Sequence, residues 1–141
     1  MKFLVSIMEH HSDMLPWQQA AKRTGAVVKY LECDRQGRIT EEDLRNAITD
    51  KTKLVAVTQV SNVLGVRNDI RAFAKICHEK GIVIVADGAQ SVPHMPVDVQ
   101  ELDVDFLAFS GHKMLGPMGI GVLYGKREYL EKCLRFLPAV K

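Results

Sequence analysis

The chain has 141 residues, a formal net charge of +2, 47% hydrophobic residues and 26% charged residues. That balance excludes a disordered, collagen-like or coiled-coil chain, and this length implies one domain. The basic residues are scattered rather than striped, so no nucleic-acid surface is expected; no apolar run approaches the ~18 residues of a membrane span.

Phe3–Ile7 opens the chain as a short apolar strand, and Glu9, His10 and His11 end the run too soon for a signal peptide. Asp13–Thr24 has helical spacing, with Leu15, Ala20 and Ala21 expected on one face and Gly25 as the stop. Val27–Leu31 reads as a second strand. Thr40 then begins T-E-E-D, an N-cap with acids in the first turn, and Leu44, Ala47 and Ile48 supply the apolar stripe. Leu54–Thr58 is a buried strand, Asn68–Lys80 a helix with Ile70, Phe73, Ala74 and Cys77 on one face, and Ile82–Ala86 the most strand-like run. Phe106–Ser110 and Ile120–Tyr124 are further strands, before a charged helix from Arg127 to about Phe136.

Alternating β and α segments at this spacing predict a parallel sheet with helices on both faces, and continuous apolar strands agree with it. No crossover helix precedes Ile120–Tyr124, so that strand is expected to run antiparallel. The three cysteines, Cys33, Cys77 and Cys133, lie far apart without a CxxC pair. Neither a zinc centre nor a disulfide framework is indicated, and a reducing, cytoplasmic setting is the expectation.

In a parallel sheet, ligands bind beyond the carboxyl ends of the strands. That rule selects His10-His11, Ser61-Asn62, Asp87-Gly88-Ala89-Gln90 and Ser110-Gly111-His112-Lys113. Alone, Asp87 reads as a turn residue and Lys113 as a solvated loop lysine. Together, an amine able to form a Schiff base and a carboxylate able to keep a pyridine nitrogen protonated are the minimum set for pyridoxal phosphate. His11 and His78 read as structural or surface residues. His94 beside Met95 is too weak a signal for a metal, and no metal is expected. Trp17 reads as core or interface.

V-I-V-A-D-G-A-Q-S, Val83 to Ser91, and F-S-G-H-K-M-L-G-P-M-G-I-G-V-L-Y, Phe109 to Tyr124, resemble the class V aminotransferase family of fold-type I pyridoxal-phosphate enzymes. Within it, M-E-H-H-S-D, Met8 to Asp13, and V-S-N-V-L-G, Val60 to Gly65, are most similar to cysteine desulfurases, in particular the branch that combines desulfurase and selenocysteine-lyase activity in iron–sulfur cluster assembly. The resemblance covers essentially the whole chain.

It implies a three-layer αβα fold around a mostly parallel sheet of about six strands, with the last strand antiparallel. Lys113 would bond the cofactor and Asp87 would pair with its pyridinium nitrogen. Gln90 would hydrogen-bond the phenolic oxygen, and His10 would stack on the ring and move protons. Ser110 and His112 would contact the phosphate, and Asn62 would lie beside the ring and the substrate carboxylate.

The resemblance further implies an L-cysteine or L-selenocysteine substrate, a homodimer and a sulfur-acceptor protein. Residues 1–141 would be a partial cofactor-binding large domain. The family's N-terminal segment, small domain, nucleophilic cysteine and carboxylate-binding arginine would lie outside it, so the chain alone is expected to be inactive. Two other readings stay open: another class V reaction, such as transamination or kynurenine cleavage, and a non-catalytic remnant of the fold.

Overall fold

The computed structural model describes residues 1–134. Six strands form one sheet: β1 (Lys2–Ser6), β2 (Val27–Leu31), β3 (Thr52–Thr58), β4 (Val83–Asp87), β5 (Phe106–Ser110) and β6 (Gly121–Gly125), in the order β2-β1-β3-β4-β5-β6. The first five pair in parallel and β6 runs antiparallel to β5. Parallel neighbours need a crossover, and α1 (His11–Thr24), α2 (Glu41–Ala47), α3 (Ile70–Glu79) and α4 (Val99–Leu102) supply it. Only a 3-10 turn, Gly111–Met114, and a short loop join β5 to β6, so the chain doubles back. α5 (Arg127–Leu134) follows, and the expected helix end near Phe136 lies outside the described residues.

The strands' two-residue period splits the core. Leu4, Val55, Val57, Ile84, Ala86 and Leu107 pack with Leu44, Ile70, Phe73, Ile76 and Cys77 in the larger cluster. Val5, Ala56 and Val85 form the smaller one, against Trp17 and Phe106. α2 starts as its sequence predicts: the Thr40 side chain accepts from Asp43 N at 3.1 Å, and Thr40 N donates back to Asp43 Oδ2 at 2.8 Å.

One expectation fails locally. Leu15 is 50% exposed. α1 turns Asp13, Trp17 and Ala21, four residues apart, toward the sheet, and Leu15 projects from the other side. β2 is an edge strand and is mostly exposed, unlike the interior strands. β6 is the opposite edge, with Val122 and Leu123 exposed, and such an edge invites pairing with another chain. Among the described residues no helix is long and apolar enough to cross a membrane.

Candidate active site

The segments that follow the carboxyl ends of β1, β4 and β5 converge on one cleft of about 480 Å³. His10, Ser12, Asp13, Asp87, Ser110, His112 and Lys113 line it, over a floor that includes Val85, Ala86, Ala108 and Phe109. Its size falls in the range of small-molecule sites, and its make-up is typical of them: an apolar floor with a few convergent polar groups.

Each polar group is placed by its element. Asp87 is the last residue of β4, in register with Thr58 of β3 and Ala108 of β5. Gly88 N donates to Ala108 O at 2.8 Å, which holds the loop against β5. Ala89 N donates to Asp87 Oδ1 at 2.8 Å, leaving the second carboxylate oxygen for a partner in the cleft. His10 caps α1: its Nδ1 accepts from Ser12 N at 3.2 Å and lies 2.7 Å from Ser12 Oγ. A neutral ring that accepts at Nδ1 carries its proton on Nε2.

Lys113 sits within the 3-10 turn that follows Ser110. Gly111 N donates to Ile120 O and Gly116 N to Gly111 O, both at 2.9 Å, which closes the loop around the lysine. A Cβ on residue 116 would sit 2.9 Å from the Gly111 carbonyl oxygen, so only glycine fits that approach. Leu115 caps the turn at φ 63° and is fully exposed. A non-glycine residue in the left-handed region is the kind of local strain that gathers at functional loops. Among the described residues Lys113 enters none of the ion pairs.

Asn62 and Gln90 do not line the cleft. Asn62 is exposed on a tight turn, because Ser61 organises that turn: its Oγ accepts from Val63 N and Leu64 N, and its carbonyl from Gly65 N. Gln90 is half-buried, and its carbonyl lies 2.7 Å from His94 Nδ1. His11 is exposed at the start of α1.

The sequence reading missed two acids. Glu9, Asp13 and Asp87 each place a carboxylate oxygen within 4.8 Å of the others. Glu9 is only 7% exposed. Its Oε1 accepts from Thr58 N at 2.7 Å and from Ser6 Oγ. Asp13 Oδ1 accepts from Trp17 Nε1 at 2.9 Å. Burial, together with the neighbouring Asp13, pushes the Glu9 carboxyl up to about 9. Burial and the Asp87 charge raise Asp13 as well. The available signal was two acids four residues apart, straddling the step from β1 to α1.

None of the three cysteines lines the cleft. Cys77 is buried on α3, where burial pushes its thiol up to about 12. Cys33 is half-buried and Cys133 exposed.

The family model described as "Aminotransferase class-V" matches residues 1–140. The chain belongs to this family. It is 55% identical over 131 residues to a protein named probable cysteine desulfurase from Halalkalibacterium halodurans, covering 93% of this chain and 32% of that protein. It is 54% identical over 125 residues to a cysteine desulfurase from Haloferax volcanii, covering 89% of this chain and 29% of that one. Among solved structures, the cysteine desulfurase CsdA from Escherichia coli matches with a TM-score of 0.89 at 45% identity, over 92% of this chain and 33% of the other. The αβα fold of this class V chain is thus that of cysteine desulfurase structures, and the chain spans about a third of the length of the curated relatives it matches.

Proposed function

We propose that the cleft holds pyridoxal 5′-phosphate and serves a cysteine desulfurase, with L-cysteine or L-selenocysteine as substrate. The observation that carries this reading is one cleft presenting an amine, a carboxylate with an open oxygen and a ring imidazole, from Lys113, Asp87 and His10. Those groups fit the cofactor's chemistry: an aldehyde, a ring nitrogen and a flat ring face. The names of the curated relatives set the reaction class within the family.

Bound there, the cofactor supplies an electron-withdrawing pyridinium ring conjugated to a carbon that bonds amines. Lys113 Nζ would be the amine that bonds it. Asp87 would hold the proton on the ring nitrogen through its open oxygen. His10, fixed as the cap of α1, would lie against the cofactor and move a proton. Ser110 Oγ and a His112 ring N–H would donate to the phosphate. Gln90 and Asn62 receive no role in this assignment, since neither lines the cleft.

In the overall reaction an acceptor thiolate attacks the sulfur of cysteine. The substrate's C–S bond breaks, an S–S bond forms, and the substrate carbon takes up a proton to leave alanine. No cysteine lines the cleft, so the acceptor thiol comes from elsewhere in the working enzyme: a further segment, a second subunit of a homodimer or a sulfur-acceptor protein. The three free thiols support a reducing, cytoplasmic setting.

The test is a titration of the purified chain with excess pyridoxal phosphate. The yellow absorption of a lysine adduct develops in the wild type and is lost in Lys113→Ala. An equal band in both contradicts the assignment.

A further inference from the structure

Glu9 and Asp13 lie four residues apart across the cap of α1, and their carboxyls meet beside Asp87 at the cleft. Each has one oxygen committed to donors: Glu9 Oε1 to Thr58 N and Ser6 Oγ, Asp13 Oδ1 to Trp17 Nε1. The other two, Glu9 Oε2 and Asp13 Oδ2, are fully buried and have no hydrogen-bond partner. Asp87 adds a third carboxylate to the same cluster. Among the described residues, none of the three acids enters an ion pair. Two ionised carboxylates so placed would leave buried lone pairs facing like charge, an arrangement that a folded protein avoids by keeping a proton. One proton between the two free oxygens makes one the donor and the other its acceptor, and halves the charge.

We propose that Glu9 and Asp13 share one proton between Oε2 and Oδ2 and act as positioning residues for Asp87, the single negative charge left on the pair holding the cofactor's ring nitrogen in its protonated form. The role toward the ring rests on the cofactor reading above, whereas the shared proton stands without it. A fixed negative charge beside Asp87 lowers the energy of a cation held by it. It therefore favours a protonated ring beyond what Asp87 alone supplies. The titratable groups near the pair are Asp87 from β4, His10 at the cap between them and, lining the same cleft, His112 and Lys113.

The two isosteric amide variants separate proton from charge. Glu9→Gln and Asp13→Asn each replace the shared proton by an amide N–H and leave the other carboxyl ionised. The double variant removes the charge. The first readout is the protonated-carboxyl stretch in infrared difference spectra of the cofactor-free chain. It is expected at neutral pH in the wild type, to vanish as pH passes about 9, and to be absent from each single variant. A wild type without that band at neutral pH, or a band that persists in both single variants, overturns the shared proton. So does its displacement by millimolar magnesium or calcium, which would make the cluster a cation site. The second readout is nitrogen NMR of the cofactor ring in the loaded chain. The ring nitrogen of the double variant loses its proton at a pH lower by roughly 1 unit, while the single variants match the wild type. A double variant that titrates with the wild type overturns the positioning role. A wild type that takes up no cofactor overturns the cofactor reading and the ring role with it, and the infrared result still decides the proton.

Discussion

Two buried acidic sites stand at opposite ends of the sheet, and they are partnered in opposite ways. Asp105, just before β5, is 1% exposed. Its Oδ2 accepts from Ile84 N at 2.9 Å, His78 Nε2 lies 3.1 Å from both oxygens, and Lys126 Nζ lies 3.2 Å from Oδ1. Lys126 also pairs with Asp103 at 2.6 Å, so one acid ties together α3, β4 and the segments flanking β5 and β6. At the other end, Glu9 and Asp13 keep buried oxygens without donors, and Asp87 offers an oxygen to the cleft. A buried charge with every lone pair committed holds structure together. A buried acid cluster short of donors is arranged for something that arrives, here a proton and a ring nitrogen.

The sharpest way to break this comparison is to remove an acid at each end. Asp105→Ala leaves Ile84 N, His78 and Lys126 without their shared acceptor and should cost about 3 kcal/mol in denaturant unfolding. Asp87→Asn keeps the Ala89 contact and should cost less than about 1 kcal/mol, while abolishing cofactor retention. Equal costs would erase the distinction.

The second probe is pH. The native state holds a proton on Glu9 up to about 9, whereas the unfolded chain releases it near 4.5. The stabilisation from this neutral carboxyl is therefore full below about 4.5 and fades as pH climbs through about 9. Glu9→Gln cannot titrate. Relative to it, the wild type should lose several kcal/mol over that window, seen as diverging melting temperatures. Parallel curves would show that Glu9 is ionised in the fold. Smaller still, Trp17→Phe removes the donor to Asp13 and should cost about 1.5 kcal/mol, read by denaturant unfolding. Thr40→Ala, at an exposed cap remote from both acids, should cost about 1 kcal/mol and leave the pH dependence untouched, which makes it the control.

What the sequence revealed tracks how local each cause is. The α2 cap was legible because T-E-E-D carries both halves of its hydrogen-bond pair within four residues. The cleft was legible because loops that follow parallel strands share one sheet edge, which brings His10, Asp87, Ser110, His112 and Lys113 together. Asn62 followed the same rule and still missed the cleft, since Ser61 turns that loop on itself. α4, with four residues, is too short to show a period. The Glu9–Asp13 pair was hidden because it depends on His10 capping α1, and on Trp17 holding Asp13 toward the sheet.

The cleft presents a lysine amine and a carboxylate with an open oxygen. Incubating the chain with pyridoxal phosphate, reducing with borohydride and mapping the modified lysine by mass spectrometry should give a single dominant label on Lys113, lost when Asp87 is changed to Asn. A label spread over surface lysines such as Lys22 and Lys29, with Lys113 no more modified than they are, would contradict it.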